Sequence, residues 1–279
     1  MKVACLGTGV MGGALMKAVV KVVGGKNLFV ADGDIEKAKK FAEENDCIYC
    51  NSNREAVENA DIVFIAVKPA FVSTVLDDVG TLFADKIVVS VAAGLSIESI
   101  KEMYSFSAMM CGGGEEKITF LRIMPNTPAV VGESMIALCS DSELPSDVAK
   151  DACDKVASIL APAGKVECVS EKLMNTVTAI SGSGPAYGFM FIEALADAAV
   201  RLGMTRNQGY LYAAQTLKGA AAMVLETGSH PAALKDGVCS PAGTTIEAVK
   251  VLEEKGFRAA IINAAEAAYE KAEELGRKK

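Results

Sequence analysis

Four apolar residues, Val3 to Leu6, run directly into Gly7-Thr8-Gly9-Val10-Met11-Gly12 and then into a stretch whose apolar residues recur at helical spacing. A strand that turns through glycines into a helix is the opening unit of a parallel α/β sheet, so this junction constrains the fold more than any other segment. The pattern G-x-G-x-x-G alone occurs often by chance, and its position between strand and helix is what gives it weight. Gly7 permits the tight turn, Gly9 lets the backbone approach a pyrophosphate, and Gly12 lets helix pack closely on strand. The second strand ends at Asp32, twenty residues after Gly12. A carboxylate there accepts hydrogen bonds from an adenosine ribose 2′-hydroxyl and repels a 2′-phosphate. The plain alternative gives the glycines only a turn and makes Asp32 a helix-start residue before Ile35.

The first half of the chain continues in the same alternation. Strands are expected at Val3–Leu6, Leu28–Ala31, Ile48–Cys50, Ile62–Val67, Ile87–Val91 and Phe120–Met124, with helices after most of them. Cys111-Gly112-Gly113-Gly114-Glu115-Glu116, with the preceding Tyr104 to Met110, reads as a surface loop between the fifth helix and the sixth strand. Past about Lys165 the alternation stops, and from Glu171 the sequence is helix after helix, Ala-rich, with stops at Gly203, Gly228 and Gly256. The expected organisation is an α/β Rossmann-type domain with a parallel sheet over residues 1–164 and an all-α domain over 165–279, joined near Ala161-Pro-Ala-Gly164. A chain of 279 residues with 51% hydrophobic composition can bury a core in each.

Several classes fall away on composition. A formal charge of -7 provides no basic face for phosphate backbones or anionic lipid, so nucleic acid and membrane surfaces are not expected partners. The uncharged run Leu173 to Ile192 is long enough for a membrane helix, but Asn175, Ser181, Gly182, Ser183, Gly184 and Pro185 split it into a helix end, a turn and a new helix start. A buried helix pair is the expectation. Met1-Lys2-Val3 leads straight into a strand with no signal peptide, so the eight cysteines are expected to be cytoplasmic thiols. Cys47-Ile-Tyr-Cys50 has redox-pair spacing, but no second pair or His cluster completes a metal site; no metal is expected, and the thiols read as small apolar residues.

Catalysis is constrained by what is scarce. His230 is the single histidine, directly before Pro231 in a stretch that reads as a loop, a position more often structural than catalytic. Lys172, followed by Asn175 and Thr176, reads as a solvated helix-start lysine. Glu193 and Asp197 share a helix face with Arg201 and read as surface pairing rather than an acid/base dyad. An imine asks for less acid catalysis than a ketone, because its nitrogen is protonated before hydride arrives, so hydroxyls and backbone N–H groups suffice. Ser240-Pro-Ala-Gly-Thr-Thr245, leading into the helical run Ile246 to Leu252, offers such groups at a helix entry shaped to hold a small anion. The plain reading is that Ser240 and Thr244 merely cap that helix.

Ile62-Val-Phe-Ile-Ala-Val-Lys-Pro69, Arg122-Ile-Met-Pro-Asn-Thr-Pro128, Ile180-Ser-Gly-Ser-Gly-Pro-Ala-Tyr187 and the loop from Ser240 extended through Lys250-Val-Leu252 closely resemble the signature blocks of the pyrroline-5-carboxylate reductase family. Spread from residue 7 to about residue 270 in the family's order, they cover almost the whole chain. The resemblance implies reduction of L-1-pyrroline-5-carboxylate to L-proline by hydride transfer from NADPH or NADH. It places cofactor contacts on Gly7, Thr8, Gly9, Val10, Met11 and Gly12, on Asn53, on Ala66, Val67 and Lys68, on Ala93 and Gly94, and more weakly on Asn126, beside the Asp32 carboxylate already read from its place at the end of the second strand. It places the substrate carboxylate on backbone N–H groups around Gly243, Thr244 and Thr245, with Ser240 as a helper. It makes the hydroxyl of Thr245 the catalytic group, bonded to the ring nitrogen. Related enzymes interlock their helical domains as homodimers whose partner helps complete each site, and often join dimers into larger rings. That expectation accords with Ala186 to Leu195 and Ala259 to Ala268, which are apolar nearly all round.

Two positions depart from the family. Asp32-Gly33 stands where Asn or Ser followed by Arg is common, which tilts the cofactor toward NADH. Ala242 stands where many relatives have glycine, which restricts the loop if its backbone needs positive φ.

Overall fold

The computed structural model describes residues 1–113 and 117–277. Residues 114–116 of the expected glycine-rich loop lie outside the described residues. The chain divides into two compact units, 1–182 with 269–279, and 183–268.

The first unit is built on an eight-stranded sheet in the order β3-β2-β1-β4-β5-β6-β7-β8. Its strands are β1 (Val3–Leu6), β2 (Leu28–Ala31), β3 (Ile48–Tyr49), β4 (Ile62–Ile65), β5 (Ile87–Ser90), β6 (Thr119–Met124), β7 (Ser134–Ser140) and β8 (Gly164–Cys168). The helices between them are α1 (Val10–Val23), α2 (Ile35–Glu44), α3 (Asn53–Glu58), α4 (Val72–Val79), α5 (Ile97–Met110) and α6 (Ser146–Leu160), followed by the short α7 (Met174–Val177). β1, β2 and β4 are buried along their whole length. Their alternate residues feed two separate cores: Ala4, Leu6, Val63 and Ile65 pack with α3, α4 and α5, and Val3, Cys5, Ile62 and Phe64 pack with α1, α2 and α6. Helices on both faces are what let strands of continuous apolar character be central in a sheet.

The sheet is parallel except at β6–β7, which pair antiparallel; the expectation of a parallel sheet is corrected at that point. Neither β7 nor β8 was expected. β7 follows β6 through a connection that contains a 3-10 helix, Thr127–Val131, and β8 is a half-exposed edge strand whose residues alternate weakly. Gly164, expected in an interdomain linker, starts β8 opposite Ser134, where its φ of 147° and the carbonyl of Ser134, only 2.0 Å from where a Cβ would lie, require glycine. The compact units meet at 182/183. Residues 104 to 110, expected in the surface loop, continue α5 instead. Tyr104 is the reason: its ring sits 5.9 Å from that of Phe83 and 6.0 Å from that of Phe120, and burying it holds the helix for another two turns.

The second unit contains α8 (Gly184–Arg201), α9 (Arg206–Thr227), α10 (Pro231–Val238), α11 (Thr244–Glu254) and the first part of α12 (Phe257–Arg277). The expected stops hold: Gly203, Gly228 and Gly256 all have positive φ. α8 and α9 approach closely because Gly209 faces the backbone of Ala196, whose carbonyl is 3.0 Å from where a Cβ would lie. Thr205 and Gln208 form a capping box that starts α9. The run 173–192 forms α7, a single wide turn over Thr178–Gly182, and α8 with Pro185 in its first turn. Its expected burial does not occur within the chain, since Phe189 is 64% and Met190 70% exposed. Among the described residues no helix is long and apolar enough to cross a membrane.

Candidate active site

The glycine loop is fixed by backbone contacts. At Gly7 (φ 106°) a Cβ would stand 2.8 Å from the carbonyl oxygen of Ala66, and at Gly12 it would stand 2.1 Å from the carbonyl oxygen of Gly7. Gly9 differs: the atom nearest its Cβ position is Lys37 Nζ at 3.7 Å. Gly9 is the N-cap of α1 and no side chain caps that helix. Open space and uncapped N–H groups converge at the positive end of α1, which fits a dinucleotide's pyrophosphate.

Asp32 turns its carboxylate toward this loop. Oδ2 accepts from Thr8 N at 2.6 Å and from Thr8 Oγ1 at 3.1 Å, while Oδ1 accepts from Asp34 N at 3.0 Å. The helix-start alternative fails here, because the cap of α2 is Asp34, whose side chain accepts from Lys37 N. Asp32 instead ties the second strand to the turn beside the α1 terminus, and Oδ1 keeps acceptor capacity for a ribose hydroxyl.

The remaining proposed cofactor positions divide by what they already do. Ala66, Val67 and Lys68 follow β4, with Lys68 exposed ahead of Pro69. Ala93 and Gly94 follow β5, Gly94 in a turn with φ 75°. With the glycine loop they lie at the C-terminal ends of β1, β4 and β5, where an open parallel sheet takes its ligand. Val10 is exposed in the first turn of α1 and Met11 is half-buried beside it. Asn53 opens α3 and donates from Nδ2 to Asp78 Oδ2 at 2.8 Å. Asn126 is buried, and its side chain is committed within the protein: Oδ1 accepts from Ser134 Oγ at 2.9 Å and Met135 N at 3.1 Å, and Nδ2 donates to the carbonyl of Ser181 at 3.0 Å. It binds β6, β7 and the wide turn together.

In the second unit, Ser240 to Gly243 form a hydrogen-bonded turn in which Gly243 N donates to the carbonyl of Ser240 at 3.1 Å. Pro241 occupies its second position and Ala242, with φ 55°, its third, the arrangement of a type II turn. The Ala242 position thus does require positive φ, and Ala adopts it against its preference. Gly243 is the N-cap of α11 and no side chain caps it. The capping reading of Ser240 and Thr244 is therefore not what the structure adopts. The N–H groups of Thr244 and Thr245 head the helix, while that of Gly243, expected to bind substrate, serves the turn instead. A Cβ on Gly243 would lie 2.2 Å from Ser240 Oγ and 3.1 Å from the Ser240 carbonyl oxygen, so a side chain there would push the Ser240 hydroxyl aside. Thr245 is half-buried, Ser240 and Thr244 exposed.

His230 is exposed and caps α10, its Nδ1 accepting from Ala232 N at 3.2 Å. Lys172 is exposed. Asp197 pairs with Arg206 across the α8–α9 turn, not with Arg201 as expected. Burial pushes the thiols of Cys47 and Cys50 each up to about 11, which suits apolar packing rather than redox exchange. Among the described residues no group of His, Cys, Asp and Glu could hold a metal ion.

Two relationships were invisible in the sequence. Lys37 reaches from α2 to within 3.8 Å of Asp32 Oδ2. Buried Arg122 of β6 pairs with Glu171 at 3.1 Å. A periodic lysine on a surface helix and a charge inside an apolar strand carry no local signal of a partner.

Residues 171–275 match the family described as pyrroline-5-carboxylate reductase dimerisation, and residues 2–94 match that described as NADP oxidoreductase, coenzyme F420-dependent. The chain is 42% identical over 281 residues to the pyrroline-5-carboxylate reductase of Escherichia coli, covering 99% of this chain and 98% of that protein. Among solved structures it resembles the pyrroline-5-carboxylate reductase of Coxiella burnetii with a TM-score of 0.86 and 31% identity, covering 98% of each chain. It also resembles the pyrroline carboxylate reductase of Plasmodium falciparum with NADP bound, with a TM-score of 0.81 and 33% identity over 99% of this chain and 98% of that one.

Proposed function

The chain belongs to the pyrroline-5-carboxylate reductase family and carries its activity in proline biosynthesis, and on that premise we propose that it prefers NADH and that Thr245 is its catalytic hydroxyl. The observation that carries the second proposal is the uncapped start of α11. A helix of this length presents unpaired N–H groups and positive potential at Thr244 and Thr245 with no side chain competing for them. Those groups suit the substrate carboxylate, and the Ser240–Gly243 turn holds the loop open around it.

The bound coenzyme supplies a hydride to C5 of the cyclic imine. The ring nitrogen takes its proton from water beforehand, so no imidazole acid is required, and Thr245 Oγ1 accepts the resulting N–H and fixes the ring. The C=N bond becomes a C–N single bond as C5 gains the hydride, and the nitrogen keeps the proton it brought.

The preference for NADH rests on the Asp32 carboxylate at the end of β2. Gly7, Thr8, Gly9, Val10, Met11 and Gly12 then line the pyrophosphate, with Ala66, Val67, Lys68, Ala93 and Gly94 along the sheet edge. Asn53, engaged with Asp78, contributes through its backbone, and Asn126 supports the site from within.

The matched dimerisation region makes the chain a homodimer. The exposed Phe189 and Met190 of α8 and Ile261 and Ile262 of α12 are its fitting contact residues, because so much apolar surface is costly in water. Assembly of dimers into a larger ring is the further step.

One assay tests reaction and coenzyme together. Protein mixed with racemic pyrroline-5-carboxylate should bleach the near-ultraviolet absorbance of reduced nicotinamide faster with NADH than with NADPH. Faster bleaching with NADPH would overturn the preference, and turnover with neither would overturn the whole reading.

A further inference from the structure

Lys37 stands on the first turn of α2 with its ammonium over the glycine loop, 3.8 Å from Asp32 Oδ2 and 3.7 Å from where a Cβ would lie on Gly9. The other bonds of Asp32 are short and internal: two from Thr8 and one from Asp34 N. The lysine contact is long, half open to solvent and hence weak, and a ligand can replace it without disturbing the backbone. The neighbouring lysines of α2 are turned elsewhere: Lys39 pairs with Glu36 and lies over the Tyr49 ring, and Lys40 pairs with Glu44.

We propose that Lys37 is a specificity-determining residue that lets this Asp32-headed site accept NADPH as well as NADH, its ammonium serving as counter-charge to the 2′-phosphate. The inference rests on the reading that the adenosine ribose docks at Asp32. A 2′-phosphate brought to that carboxylate meets like charge within a few ångström, the usual ground for exclusion. Here a cation already lies against the same carboxylate, on a flexible stem rooted in α2. With a 2′-hydroxyl present, Lys37 stays on Asp32 and adds little. With a 2′-phosphate present, it turns to the phosphate, where a charge-assisted hydrogen bond outweighs the exposed pair it leaves.

The test is the dissociation constant of each coenzyme in its binary complex, read from nicotinamide fluorescence, for the native protein and for Lys37→Gln, Lys37→Arg and Asp32→Asn. Lys37→Gln should weaken NADPH by about tenfold while moving NADH by less than about twofold, the effect of one lost charged contact. Lys37→Arg should keep NADPH binding. Equal weakening of both coenzymes would place Lys37 on the shared pyrophosphate, and no change in either would leave it a plain surface residue; either result overturns the proposal. Asp32→Asn separates the two levels of the argument. If it shifts the ratio toward NADPH while Lys37→Gln does not, the ribose reading stands and the lysine inference falls. If it leaves the ratio unmoved, both fall.

Discussion

Arg122 Nη1 donates to Glu171 Oε1 at 3.1 Å, and the same oxygen accepts the backbone N–H of Ile97 at 2.8 Å. One carboxylate thus neutralises a guanidinium buried in β6 and satisfies a free donor at the start of α5. Arg122 Nε has no hydrogen-bond partner among the described residues, which makes the contact with Glu171 the more important. The pair fastens the segment after β8 to β6 and to the start of α5.

Glu171→Ala leaves a buried cation without its counter-charge, and such losses cost about 3 kcal/mol when one partner is partly open to solvent. Urea unfolding should show it as a lowered midpoint. Arg122→Met with Glu171→Leu should recover much of the loss, because replacing both charges removes the desolvation burden. A Glu171→Ala protein as stable as the native one would show that water already solvates Arg122.

Asn126→Ala and Asn126→Asp test whether that amide is structural. Alanine drops the side-chain hydrogen bonds to Ser134, Met135 and Ser181, at about 2 kcal/mol after compensation by water. Aspartate restores an acceptor for Ser134 but turns an oxygen toward the carbonyl of Ser181, so it should not rescue. Thermal melting distinguishes the cases, and rescue by aspartate would favour a contact with ligand over one with Ser181.

Gly9 and Gly12 of the loop should fail differently. Gly12→Ala drives a Cβ into backbone and should yield little folded protein. Gly9→Ala meets only the movable end of Lys37, so stability should change by no more than about 0.5 kcal/mol while coenzyme affinity drops about tenfold through loss of close approach. Unchanged coenzyme affinity in folded Gly9→Ala protein would remove the pyrophosphate from this turn.

Thr245→Ala should lower kcat by about a hundredfold, in the range of lost transition-state hydrogen bonds, and leave the dissociation constant of NADH untouched. A parallel loss of coenzyme binding would assign Thr245 to folding. Thr245→Ser, which keeps the hydroxyl, should retain most of the turnover.

Ala242→Gly relieves a left-handed alanine, a gain of about 1 kcal/mol partly offset by the greater freedom of glycine in the unfolded chain. The melting temperature should rise by no more than about 4 °C. A fall would mean that the Ala242 methyl makes contacts worth more than its strain.

Much of the first unit was legible because strands buried on both faces and helices with one buried face leave local periodicities, as at Val3–Leu6 and Leu28–Ala31. In the second unit the stops at Gly203, Gly228 and Gly256 were readable because a left-handed helix end favours glycine. β8 was not, since a short edge strand needs no pronounced apolar pattern, and α5 was cut short because the burial of Tyr104 depends on Phe83 and Phe120, neither adjacent in sequence. At the candidate site, the residue types of the two loops were evident, but which of their groups are free was not. The N–H of Gly243 is used by its own turn, and the Asn126 amide by Ser181.

By itself the sequence determined the alternation of strands and helices, the glycine turn, the helix stops and the family, all of which are written in short-range spacing or in ordered motifs. Tertiary structure alone decided the antiparallel β6–β7 pairing, the unit boundary at 182/183, the Arg122–Glu171 pair and the approach of Lys37 to Asp32. The physical reason is that a hydrogen bond or ion pair needs two groups within a few ångström. Only the folded backbone brings distant residues that close.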